Sequence, residues 1–265
     1  MSALPPNAID LDDVTDVRVG TTQIAEIRAG AVKIWPGGPA NYREAVLADS
    51  PRAYYRLGEA SGNAIDEMGG TQGAPSGALT RAQPSLLPNG DGASTGFGGG
   101  WIAVAFNAAM NIGASAFTLE CWFREDAISQ TTNRGVIRSG WNLSDSFFGL
   151  TLRTVAGTAN GPADGITLSA GGSSTNPNPS GFSAARQTTH HLAVVRSTPN
   201  VAYLNGQPYD FTFAGGTTNG SNFFIGAQPP TSLPFAGRIQ EVALYNYALT
   251  QQQIETHFRV AGGRP

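Results

Sequence analysis

A chain of 265 residues has room for one large β domain with a small appendage, or for two ordinary domains, and for a core that needs no disulfide framework. Thirty-four glycines and 17 prolines, beside only 13% charged and 40% hydrophobic residues, describe a turn-rich β protein rather than a helical or disordered one. The 16 basic and 19 acidic residues are scattered, for a net charge of −3, so no basic stripe is present to neutralise a phosphate backbone and nucleic acid is excluded as a partner.

The opening residues, Met1 to Pro6, have neither the basic start nor the apolar run of a secretory signal, and no apolar stretch is long enough to span a bilayer. The expectation is a chain made in the cytoplasm, without a signal peptide and without a membrane partner. An internal repeat follows: Val17 to Ile24, "VRVGTTQI", returns as Ile27 to Ile34, "IRAGAVKI". Each copy reads as strand, glycine turn, strand, and together they predict a three-stranded meander ending at Trp35-Pro36. Three short strands bury too little to stand alone. They are either an extra edge sheet of the main domain or a docking module completed by another subunit through Val17, Val19, Ile24, Ile27, Ile34 and Trp35. Pro36-Gly37-Gly38-Pro39 reads as a linker, dividing residues 1–38 from a main domain at 39–265. The stretch resembles the short N-terminal segments of tailed-phage virion proteins that precede a variable display domain. That resemblance covers about the first 36 residues and implies attachment to other virion proteins of a capsid or tail.

Beyond the linker, Tyr42 to Leu47 predicts a short helix and Ala53 to Gly58 a strand. Phe117, Leu119, Cys121 and Phe123 alternate with Thr118, Glu120, Trp122 and Arg124, the period of two expected where one strand face meets a core. The lone Cys121 therefore reads as a small core residue. Further strands are expected at 135–138, 148–153, 166–170, 190–196, 201–204, 223–226 and 238–245, with Asn205-Gly206 suiting a type I′ hairpin turn. Thr250 to Gln253 has capping-box spacing, with Leu249 and Ile254 as a hydrophobic staple, so a terminal helix to about Phe258 should lie over the sandwich as a lid. Ser-, Asn-, Gly- and Pro-rich stretches within 127–147, 156–165 and 171–187 read as rim loops.

From about residue 42 to 258 the chain resembles the concanavalin A-like, laminin G-like jelly rolls, through "AYYRLGEASGNAIDEMGG", "FTLECWF", "HHLAVVRS", "VAYLNGQ" and "FAGRIQEVALYNYALTQQQIETHF". The resemblance implies an all-β, antiparallel two-sheet jelly-roll sandwich; a fold of this kind hosts lectins, adhesins, glucanases and structural modules alike. It further implies a structural Ca²⁺ held by Asp66 and Glu241, with Gln240 standing where relatives commonly carry Asp. The alternative is that Asp66 caps its own turn and Glu241 is a solvated strand residue.

Other chemistry finds little support. Glucanases of this type place two or three carboxylates at alternate positions of one strand, but Glu120 shares its face with Trp122 and Arg124. Gly92 to Gly96 fits G-x-S-x-G, yet Pro88 to Asp91 before it and Gly98 to Gly100 after it suggest a flexible loop rather than a nucleophile elbow. His190 and His191 should point to opposite faces of a strand, one packed and one solvated, which is poor geometry for zinc. Sugar recognition needs an exposed aromatic with amides or hydroxyls beside it, and Trp101, Trp141, Asn142 and Tyr209 are the candidates, against core roles for the same rings. The expectation is a non-enzymatic virion surface protein that displays a lectin-like jelly roll, as a homo-oligomer, with host or environmental glycans as partners. A soluble calcium-dependent lectin or adhesin is the alternative.

Overall fold

A computed structural model describes residues 18–19, 22–23, 27–29, 32–35, 39, 41–105, 107, 116–126, 134–139, 148–152, 166–170, 184–211, 222–226 and 234–264. The N-terminal repeat folds as two separate antiparallel pairs, not as one three-stranded meander. β1 (Arg18–Val19) pairs with β2 (Thr22–Gln23), and β3 (Ile27–Ala29) with β4 (Val32–Trp35). Each copy of the repeat carries both strands of its own pair, and such local closure costs the least chain entropy. Val19, Ile27, Ile34 and Trp35 lie in these strands; Val17 and Ile24 fall outside the described residues.

Helix α1 (Tyr42–Ala48) starts where Asn41 accepts the Glu44 amide on its side-chain oxygen at 2.9 Å, satisfying one of the donors a helix start leaves free. Strand β5 (Ala53–Tyr55) is shorter than the sequence suggests, because the buried Leu57 adopts a left-handed φ of 62° that ends the extended run. Four strands follow that the sequence did not mark: β6 (Gly73–Ser76), β7 (Leu79–Gln83), β8 (Ser94–Gly98) and β9 (Trp101–Val104). The reading of Gly92 to Gly96 as a flexible loop is corrected by β8. Ser94 donates to the Pro84 carbonyl at 2.7 Å and Thr95 to the Leu57 carbonyl at 2.8 Å, so both hydroxyls are spent holding the strand.

Strands β10 (Phe117–Glu125), β11 (Arg134–Ser139), β12 (Phe148–Leu152), β13 (Ile166–Ala170), β14 (Thr189–Arg196), β15 (Asn200–Leu204), β16 (Gln207–Phe211), β17 (Phe223–Ile225) and β18 (Ala236–Tyr245) lead to helix α2 (Gln251–Val260). Asn205 and Gly206 have φ of 52° and 78°, as a type I′ turn requires. Thr250 and Gln253 form the reciprocal capping box at the start of α2. Among the described residues the strands make two large antiparallel sheets. One runs β16-β15-β14-β10-β18-β8-β7, with β5 also paired to β18; the other runs β13-β12-β11-β17-β9-β6. This is the all-β two-sheet sandwich that the resemblance to the jelly rolls implies. No described helix is long and apolar enough to cross a membrane.

Two cores sandwich the first sheet. Leu119, Cys121 and Phe123 of β10, Leu192 and Val194 of β14 and Ile239 of β18 face Ile102, Val136, Phe223 and Ile225 of the second sheet. On the other face Trp122, Ala193 and Tyr245 pack under Tyr42 and Val46 of α1, Leu86 and Leu87, and Ile254 and Phe258 of α2. Full burial of each large apolar side chain contributes roughly 1.5–3 kcal/mol, which fastens the two helices as a cover. The alternation along β10 therefore separates two buried faces, where the sequence pattern suggested one.

Candidate functional site

The helical cover stops short of one end of the sheet, and a groove of about 600 Å³ opens there on the outer face. Register places its residues in one row across four strands: Arg124 opposite Arg238, Arg238 opposite Gly96, Gly96 opposite Thr80. Alternation puts Arg124 on the face opposite Phe123, and Arg238 opposite Ile239, so both side chains leave the sandwich core. Gln83 joins the lining across a bulge in β7 where Ala82 takes φ 49°. Gly96 supplies a floor without a side chain. Gly237 is needed for a different reason, since a Cβ there would lie 2.1 Å from the Arg124 carbonyl oxygen of the neighbouring strand.

Asp126, just past β10, stands between the two guanidinium groups. Its carboxylate is 2.7 Å from Arg124 Nε and 3.7 Å from Arg238 Nε. The shorter contact is an ion pair off the hydrogen-bonding line, and the buried Arg124 Nε–H has no hydrogen-bond acceptor. Arg238 Nη1 donates to the Pro84 carbonyl at 3.2 Å, which fixes its fork in place. The groove thus offers planar donors, a carboxylate, an amide and a hydroxyl over a flat floor, a set able to hydrogen-bond a polyhydroxylated ligand. Arg124 was legible as the polar alternate of "FTLECWFR", but its partnership with Arg238 depends on the β10–β18 register, and Asp126, Thr80 and Gln83 carried no motif.

The residues expected to bind ligands are dispersed. Trp101 lies half-buried in β9 of the second sheet, and Tyr209 in β16 at the far edge of the first, packed against the sandwich core. They do not form a common aromatic platform. Trp141 and Asn142 fall outside the described residues. Asp66 and Glu241 are each enclosed by protein donors. The Asp66 carboxylate accepts the amides of Tyr54 (2.9 Å), Met68 (3.1 Å) and Gly70 (3.2 Å). Glu241 accepts from the Tyr54 hydroxyl, from Arg56 Nε at 3.2 Å and from Gln240 Nε2 at 3.3 Å. The two carboxylates meet opposite ends of Tyr54 and are ringed by N–H and O–H donors. As placed, they do not fit the all-oxygen acceptor shell that calcium takes. Glu241 is buried rather than solvated and has φ 56° in a bulge opposite Cys121. Burial raises its carboxyl to about 7, against the opposing pull of Arg56.

Glu120 is fully buried beneath α2, away from the groove. It accepts from the Tyr42 hydroxyl, and its oxygens are 2.9 Å from His191 Nε2 and 3.0 Å from His257 Nδ1. His257 Nε2 reaches Asp49 at 2.9 Å, linking both helices to the central strand. Burial pushes the Glu120 carboxyl up, but His257 and His191 more than offset it and hold it well below the usual carboxylate range. His257 is raised to about 10: burial acts against its charge, and Glu120 and Asp49 outweigh that. The expectation that one of His190 and His191 is solvated is corrected. They face opposite ways, but both are buried, His190 against Phe123 and His191 against Trp122 and Phe258.

No curated protein matches the chain. Among solved structures it is similar to domain 4 of AbnA, a GH43 extracellular arabinanase from Geobacillus stearothermophilus, in complex with arabinotriose. The TM-score is 0.57 at 18% identity, over 78% of this chain and 97% of that one. It is also similar to the sialidase of Trypanosoma rangeli in complex with 2,3-difluorosialic acid, with TM-score 0.55 and 16% identity, over 78% of this chain. There it spans only 32% of the sialidase's length. These likenesses are of fold. They nonetheless overturn the expectation of a non-enzymatic chain, because the solved structures it resembles belong to an arabinanase and a sialidase. The family model of the concanavalin A-like lectin/glucanases superfamily matches residues 98–255, more than half of the chain, and the protein belongs to that superfamily.

Proposed function

We propose that the chain binds carbohydrate in the outer groove and displays that site on a larger particle, a virion, through residues 1–38. The observation that carries the binding part is the groove itself: a row of polar side chains on a glycine floor, beside the part of the sheet that the helices cover. Sugar rings offer many hydroxyls and need such a set of fixed donors and acceptors. Membership of a superfamily described by lectins and glucanases, and a fold neighbour in complex with arabinotriose, support the same class.

The display part rests on the resemblance of the opening segment to tailed-phage virion segments. It is favoured by the repeat's strands, which among the described residues pair only with one another. Such short pairs gain stability from a covering partner, here capsid or tail subunits, in a symmetric homo-oligomer.

Filling the groove tests the binding. A Cβ at Gly96 would meet Thr80 at 3.4 Å, an ordinary contact, so Gly96→Leu should leave the fold intact and project into the ligand space. On a glycan array the native chain should give specific signals that Gly96→Leu loses. Equal signals from both proteins would move the site elsewhere, and no signal from either would remove the function. For display, deleting residues 1–38 should abolish incorporation into particles; unchanged incorporation would end that part.

A further inference from the structure

We infer that the ligand of this groove is an acidic glycan, whose carboxylate is received by Arg124 and Arg238. The inference rests on the carbohydrate-binding reading and adds the chemical class of the sugar. Two arginines stand directly opposite each other on adjacent antiparallel strands, an arrangement in which like charges repel. One acidic side chain, Asp126, serves both, so the described lining carries one surplus positive charge in a chain whose net charge is −3.

Three features show that the charge is poised for an external anion. The second guanidinium is only loosely paired, at 3.7 Å. Arg124 Nε lies 2.7 Å from the Asp126 carboxylate yet makes no aligned hydrogen bond to it, so the internal ion pair leaves that guanidinium incompletely satisfied. The Asp126 carboxylate, placed between the two forks, marks where planar anions sit and shows that both arginines converge on one. Arginine suits this task because its fork matches a carboxylate with two parallel hydrogen bonds. Side-chain exposures of 34% for Arg124 and 17% for Arg238 leave both reachable from the groove yet partly shielded from water, which strengthens the pairing.

The test uses the full chain and calorimetry, with uronate- and sialate-terminated oligosaccharides and the same oligosaccharides after reduction of the carboxyl to hydroxymethyl. The acidic form should bind at least about tenfold more tightly, the factor a charge-assisted pair supplies, and should weaken as ionic strength rises. Arg238→Gln should erase that preference, bringing the acidic form to the affinity of the reduced one. Asp126→Asn, which removes the competing internal anion, should tighten the acidic ligand. Equal binding of both forms, or weaker acidic binding in Asp126→Asn, would overturn the inference. Binding of the reduced sugars alone, still blocked by Gly96→Leu, would overturn it while sparing the carbohydrate-binding reading. Binding of neither form would end both.

Discussion

Replacing Glu120 by glutamine probes the joint between the helical cover and the sheet. The substitution keeps the shape but removes the charge that His257, His191 and the Tyr42 hydroxyl all address. It also turns one acceptor into a donor facing donors. Breaking a buried ion pair from one side costs about 3–5 kcal/mol, and because glutamine retains one acceptor oxygen the lower end applies, about 3 kcal/mol. For a domain of this size that lowers the melting temperature by roughly 6–12 °C. The signs of the two shifts set the pH range. Glu120's carboxyl is depressed, so its contribution is complete above its ordinary 4.5 and is lost as pH falls further. His257 is raised, so its contribution is complete below its ordinary 6.5 and is lost as pH climbs through about 10. The difference between native and variant proteins should therefore be widest between pH 4.5 and 6.5 and narrow on both sides. Urea unfolding followed by the fluorescence of the buried Trp122 measures it. A loss below about 1 kcal/mol, the scale of one ordinary hydrogen bond, or a difference independent of pH, would refute the charged network.

Gly237→Ala should cost about 1–3 kcal/mol in chemical denaturation, because the added methyl collides with the Arg124 carbonyl and the strands must part. The Glu241 carboxyl, followed by carbon NMR, should titrate near 7; because burial penalises its charged form, the fold is most stable below its ordinary 4.5 and loses stability as pH rises through about 7. Removing calcium with a chelator should shift the melting temperature by less than about 1 °C, since Asp66 and Glu241 are satisfied by protein donors. A rise of several degrees on adding calcium would restore the cation to the site.

Where local chemistry decides structure, the sequence could be read directly. The alternation of Phe117 to Arg124, the Asn205-Gly206 turn and the Thr250 capping box each specify their element through residues in contact along the chain. Strands β6 to β9 escaped notice because each spans only four or five residues, glycine interrupts β6 and β8, and β8 and β9 are held by β18 and β17 far along the chain. The groove was hidden for a related reason. Arg124 and Arg238 become neighbours only through the β10–β18 register, and that register includes the bulge at Glu241, which no local pattern announces. Likewise Glu120, Asp49 and His257 are far apart in sequence, so a carboxylate that looked like a candidate acid is in fact the anchor of two helices.

Chemical-shift mapping during titration with a bound oligosaccharide would address the central claim at residue level. Amide signals of Thr80, Gly96, Arg124 and Arg238 should move together and saturate at one affinity, while those of Trp101 and Tyr209 stay still. Shifts confined to the second sheet or to the rim around Asp66, with the Arg124–Arg238 row silent, would contradict a ligand site on the outer face.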